Sequence, residues 1–224
     1  MASFTRQLAA EAIGSILLFV CVIGSGIMAE RLAGGNGAVA LLANAIATGA
    51  ILFVLIAMLA PVSGAHFNPA VTLVMAARGE LSVARAGGYF VVQIGAALIA
   101  PAIAHGMFDL PLLQVSHHVR DGAGQWLGEF IASFGLVFVI LGTARHRPDS
   151  IPASVALYIV AAYWFTSSTS FANPAITLAR CFTDTFSGIV PQSVPGFIAA
   201  QFVGAAAGAA VGSAIFSPSG SEGD

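Results

Sequence analysis

The sequence predicts an all-α membrane protein built as an inverted repeat, with six spanning helices and two short half-helices. Three observations predict it. The chain of 224 residues is 58% hydrophobic and 8% charged, against about 25% charged residues in a soluble domain. Its mean hydropathy is +0.91. The triplet Asn-Pro-Ala occurs twice, at Asn68-Pro69-Ala70 and Asn173-Pro174-Ala175, each followed by a β-branched residue, Thr and Leu. The segments flanking the triplets also resemble each other across the two halves.

A spanning helix needs about 20 mainly apolar residues. The long uncharged runs supply six spans, over 8–28, 38–60, 86–106, 124–144, 151–168 and 194–216. The first is read as a permanent helix rather than a signal peptide. Its apolar part is longer than a signal core, and no small-x-small cleavage site follows it. Two helices remain, over 68–77 and 173–182, and each is too short to cross alone. Asn is a preferred N-cap and Pro is preferred at the first helical position. Each triplet is therefore a helix start, with its positive dipole end aimed into the protein.

The repeat is legible span by span. Ala9-Ala10-Glu11-Ala12-Ile13 in the first span corresponds to Leu127-Gly128-Glu129-Phe130-Ile131 in the fourth. The third carries Tyr89-Phe90-Val91-Val92-Gln93, and the sixth carries Phe197-Ile198-Ala199-Ala200-Gln201. Three spans per half is an odd number, so the second half inserts upside down and the half-helices oppose each other near the midplane. One domain over 1–224 follows, with repeats at about 1–108 and 120–218. Gly204-x-x-x-Gly208 and Gly208-x-x-x-Gly212 suit close helix contact or a dimer face.

All eight basic residues are Arg. Arg6, Arg78, Arg85, Arg145 and Arg147 fall on one side of a six-span chain, and Arg31, Arg120 and Arg180 on the other. The bias puts the first set, and both termini, in the cytoplasm. Cys21 and Cys181 offer no metal spacing and are read as packing residues. His105, His117 and His118 are read as solvated loop residues. No cofactor, metal site or nucleic-acid partner is expected. No nucleophile–base pair is visible either, so the chain is not expected to be an enzyme.

Unpaired N–H groups at a helix start need partners in the membrane core. Water or a hydroxylated solute in a pore would supply them, and Asn68 and Asn173 would each aim an amide donor at its oxygen. Two opposed positive dipole ends would repel cations, including protons and hydronium. Glu11 and Glu129 are carboxylates inside spans, which are expensive and normally functional. A proton relay would suit an ion- or proton-coupled carrier of the inverted-repeat type, which is the rival reading. A membrane scaffold without conductance is a third.

The residues Ser63-Gly64-Ala65-His66-Phe67-Asn68-Pro69-Ala70-Val71-Thr72, Asn173-Pro174-Ala175, Glu11 and Glu129 are similar to those of the aquaporin family, the major intrinsic proteins. The resemblance implies six tilted helices with two half-helices meeting at the triplets, and a homotetramer with one pore per chain. It implies a passive channel for water and small neutral solutes, in contact with membrane lipid and multi-pass in the inner membrane. It makes Glu11, Glu129 and His66 supports for the pore loops. Family spacing puts Thr48, Ser170 and Ile176 in the selectivity filter. The fourth filter residue is Ala161 counting back from Asn173, or Tyr163 counting forward from Pro152, and Tyr163 is preferred.

Ile176 stands where most members carry Arg, and the next Arg, Arg180, is a helical turn further on. The predicted filter is therefore wider and less polar than a water-only filter. The stretch from Thr166 through Arg180 to Ile189 resembles a bacterial aquaporin subgroup associated with arsenic resistance. That resemblance implies passage of metalloid hydroxides such as arsenous acid; glycerol, urea or ammonia fit the same filter.

Overall fold

The computed structural model describes residues 2–216. The expected domain and second repeat extend at their ends onto residue 1 and residues 217–224, which lie outside the described residues. Among the described residues, eight α-helices form the bundle: α1 (Phe4–Leu32), α2 (Gly37–Ser63), α3 (Pro69–Ala77), α4 (Val83–Met107), α5 (Ala123–His146), α6 (Ile151–Phe165), α7 (Pro174–Arg180) and α8 (Val194–Phe216).

Short polar side chains start several of these helices by accepting backbone N–H groups that have no helical partner. Ser3 accepts from Arg6, Asn36 from Ala38 and Val39, and Ser82 from Arg85. Asn68 and Asn173 do the same for α3 and α7, each with Pro at the first helical position. Gly64, at φ 89°, ends α2 in the left-handed conformation that glycine adopts without steric cost.

Among the described residues, five helices are long and apolar enough to cross a membrane: α1, α2, α4, α5 and the segment ending in α8. The expected span 151–168 is shorter than predicted. Helix α6 stops at Phe165 after 15 residues, about 22 Å of rise. The run Thr166-Ser167-Ser168-Thr169-Ser170 stops it, because hydroxyls next to the backbone compete for its hydrogen bonds. Thr166 donates its hydroxyl to the Ala162 carbonyl, Ser167 donates to Gly124, and Ser168 accepts the Ser170 N–H. The chain then turns back into the bundle and begins α7.

The packing repeats with the sequence. Helix α1 packs on α2 and α4, and α5 packs on α6 and α8 in the same way. The two halves meet where α2 lies along α6. Each half-helix crosses over: α3 contacts both α4 and α8, and α7 contacts both α8 and α4.

The glycines of α8 work within the chain. A Cβ at Gly204 would lie 2.2 Å from the Phe130 carbonyl oxygen, and one at Gly208 would lie 2.3 Å from that of Phe134. These glycines let α8 approach the backbone of α5, so the Gly-x-x-x-Gly pattern serves an intrachain contact. Gly204→Ala is expected to cost about 1–3 kcal/mol of overpacking strain. Gly95→Ala, where a Cβ meets nothing within 4 Å, is expected to be neutral or stabilising. Thermal unfolding of the two variants in detergent checks this, and equal melting temperatures would contradict it.

Candidate functional site

The two triplets face each other at the centre of the bundle and are bonded crosswise. Asn68 Nδ2 donates to the Ala172 carbonyl at 2.7 Å, and Asn173 Nδ2 donates to the Phe67 carbonyl at 2.8 Å. Each Oδ1 caps its own half-helix, Asn68 accepting from Ala70 and Asn173 from Ala175 and Ile176. One of each amide's two N–H donors thus holds the opposite loop, which leaves the second.

The loops before the triplets have a matched, costly backbone. Ala65 and Phe67 have φ of 51° and 48°, and Ser170 and Ala172 have 50° and 48°. Such left-handed non-glycine residues cost about 1–3 kcal/mol each and persist only when their surroundings hold them. Two carboxylates hold them. Glu11, on α1, accepts the N–H groups of His66 and Phe67 at 2.9 and 2.7 Å, the Ser63 hydroxyl and the Gln93 amide. Glu129, on α5, accepts the N–H groups of Phe171 and Ala172 at 2.8 and 2.9 Å and the Gln201 amide at 2.6 Å. Both carboxylates are fully buried.

Residues not singled out as site candidates in the sequence complete these clamps. Gln93 on α4 also donates to the Thr72 hydroxyl, and Gln201 on α8 donates to that of Thr177. Each glutamine thus ties a span, a carboxylate and a half-helix together. The signal was present, since Gln93 and Gln201 hold equivalent places in the two repeats, as do Thr72 and Thr177. His66 joins the first clamp only, with Nδ1 3.1 Å from the Thr72 hydroxyl. Gly14 makes room beside it, because a Cβ there would lie 2.1 Å from the Phe67 ring.

A cavity of about 580 Å³ runs past both triplets. Asn68, Asn173, Thr48, Tyr163, Ser170 and Ile176 all border it. The hydroxyls of Thr48 and Tyr163 are 3.2 Å apart, joining α2 to α6. Ala161, the other candidate from the sequence, is exposed on the outer face of α6, whereas Tyr163 is buried. The Ser170 hydroxyl is buried and has no hydrogen-bond partner among the described residues.

Arg180 differs most from expectation. Counted as a surface charge from the sequence, it is 2% exposed and borders the cavity. Its Nε donates to the Ser187 carbonyl, and its guanidinium carbon lies 3.4 Å from the centroid of the Phe171 ring. His105 is also not a solvated loop residue. It is buried in the last turn of α4, where its ring nitrogens meet the Thr183 hydroxyl at 2.8 Å and the Leu112 carbonyl at 3.0 Å. His117 and His118 are exposed as expected. His117 donates its backbone N–H to Asp184 and sets its ring Nδ1 3.0 Å from it; these bonds hold that carboxyl below the usual carboxylate range.

The clamp geometry sets an order of stability. Glu11→Ala leaves several buried donors unpaired, at about 1–3 kcal/mol each. Glu11→Gln keeps an acceptor oxygen and is expected to lose less. The parent is expected to melt highest and the Ala variant lowest, with the same order at Glu129. An Ala variant as stable as the Gln variant would show that the carboxylates do not hold the loops.

The sequence profile of the major intrinsic protein family matches residues 1–166. The chain is 55% identical over 201 residues to aquaglyceroporin AqpS of Rhizobium meliloti (strain 1021), covering 90% of this chain and 86% of that one. It is 30% identical over 213 residues to aquaporin NIP1-4 of Oryza sativa subsp. japonica, covering 92% and 76%. Its fold is similar to the X-ray structure of the aquaglyceroporin from Plasmodium falciparum, with a TM-score of 0.73 at 18% identity over 96% of each chain. Two opposed Asn-Pro-Ala helix starts beside a continuous cavity, together with these similarities, lead to one conclusion: the chain belongs to the major intrinsic protein family.

Proposed function

We propose that the chain passes water and small uncharged solutes passively along the cavity between the two triplets, at a filter formed by Thr48, Tyr163, Ser170 and Ile176. The larger permeants are metalloid hydroxides such as arsenous acid, and glycerol-like solutes. The chain is a multi-pass membrane channel of its family and not an enzyme. The name of the Rhizobium relative, an aquaglyceroporin, supports the substrate class.

One observation carries the reading. The cavity is bordered by hydroxyls and apolar side chains at Thr48, Tyr163, Ser170 and Ile176, beside two fixed asparagine amides. The hydroxyls can exchange hydrogen bonds with a neutral solute, and the apolar wall offers a cation nothing in place of its water. The coupled-carrier reading loses its support, because the donors around Glu11 and Glu129 engage them behind the loops. A carboxylate held in that way is poorly placed to exchange a proton with a substrate.

The assembly is a homotetramer in the inner membrane, formed from one channel domain of two inverted repeats, with both termini cytoplasmic. Removing the buried Arg180 from the count of surface charges leaves five Arg against two, which strengthens the cytoplasmic assignment.

Stopped-flow measurement on proteoliposomes tests the reading with water, glycerol, urea and arsenous acid. Neutral flux above that of empty vesicles, linear in concentration and indifferent to a proton gradient, is expected. Saturating uptake that needs the gradient would overturn it in favour of a carrier. The filter assignment has its own test. Ile176→Arg adds a permanently charged fork of donors at a wall now apolar. Glycerol flux is expected to fall about tenfold, or about 1.4 kcal/mol of barrier, with water flux falling less. A folded variant passing glycerol at the parent rate would remove position 176 from the filter.

A further inference from the structure

We propose that Arg180 is the cation-rejecting, solute-donating residue of the filter, acting from one helical turn beyond the apolar Ile176. The inference rests on reading the cavity as the solute path. It replaces the picture of a filter without its Arg by one in which the guanidinium has moved along α7.

Four observations point this way. Arg180 borders the same cavity as Thr48, Tyr163 and Ser170. It is 2% exposed, yet no carboxylate lies within ion-pairing distance of it among the described residues. A structural arginine this deeply buried is normally paired, because an unpaired charge in the interior is strongly destabilising. Of its donors, Nε alone has an acceptor among the described residues, the Ser187 carbonyl. The terminal nitrogens are left for whatever occupies the cavity. A water or a solute hydroxyl oxygen is the acceptor that such a fork needs.

The side chain is also fixed in position. Phe171, whose own N–H is held by Glu129, lies under the guanidinium. The same ring takes a second cation, Arg120, whose guanidinium carbon is 5.2 Å from the ring centroid. Arg120 is in turn anchored to the Gly188 and Phe186 carbonyls. One aromatic ring therefore gathers two positive charges at this end of the cavity. A passing cation meets their repulsion where the surrounding wall is of low dielectric. A neutral polyol or metalloid hydroxide meets a donor instead.

The test compares Arg180→Met, Arg180→Gln and Arg180→Lys in proteoliposomes, reading sodium and proton leak alongside glycerol flux. The two neutral variants are expected to raise cation leak by about tenfold or more. Lys is expected to keep the leak at the parent level. Between the neutral variants, Gln keeps an amide donor and is expected to stay nearer the parent in its glycerol-to-urea ratio. A folded Met or Gln variant with the parent's cation leak overturns the proposal. If neither neutral variant folds, Phe171→Leu decides. It removes the ring beneath the guanidinium and is expected to change the glycerol-to-urea ratio; an unchanged ratio overturns the proposal. A parent that passes glycerol and water while the variants behave like it refutes this inference alone. A parent that passes neither refutes the channel reading as well.

Discussion

Two buried carboxylates accepting backbone N–H groups are the constraint on which the rest of this molecule depends. A polypeptide at membrane depth cannot leave its N–H and C=O groups unpaired. The segments before α3 and α7 are not helical, and they contain left-handed residues that cost free energy. Glu11 and Glu129 make those segments possible by taking two consecutive N–H groups each. The burial of a carboxylate without a countercation would itself be prohibitive. Hydrogen bonds from backbone and glutamine offset that burial, and bonds to a charged group contribute about 1.5–3 kcal/mol each. The loops and the carboxylates thus stabilise each other, and neither is tenable alone.

From that clamp the cavity follows. With the loops fixed, Asn68 and Asn173 cap their own half-helices and reach across to the opposite loop. The same loops set Ser170 and Phe171 beside the cavity, and Phe171 in turn supports Arg180. The position of the Arg180 side chain therefore traces back to Glu129 on α5 through a chain of contacts. The second repeat is the more elaborate of the two. It carries the hydroxyl-rich turn after α6 and the two arginines gathered on Phe171.

Much of this was legible in the sequence, because the features concerned are local or repeated. Uncharged runs, Asn-Pro helix starts and matched Glu positions each have one strong physical reading. The C-terminal end of α6 was not legible to the same degree, since apolar periodicity does not register the competition of five consecutive hydroxylated residues for backbone bonds. Arg180 was misread for a different reason. A basic residue in a membrane chain is assigned to the surface unless a partner is visible. Its partners here are an aromatic face and a backbone carbonyl, neither of which has a sequence signature. His105 was misread likewise, because Thr183 lies far along the chain. Gln93 and Gln201 were aligned with each other, but alignment alone does not reveal that a side chain reaches a carboxylate on another helix.

The crossed asparagine bonds have a consequence for how the chain is made. Asn68 bonds to a carbonyl 104 residues later in the chain, and Phe67 accepts from an amide 106 residues later. Contacts of such separation form late, because closing a long loop costs entropy before it returns any interaction. During synthesis the N-terminal half emerges with its loop clamped by Glu11 but with one amide and one carbonyl still unmatched. It reaches its final form only when the C-terminal half arrives to supply both. The first repeat is therefore a waiting template, and the loop before α7 supplies the partners that close it.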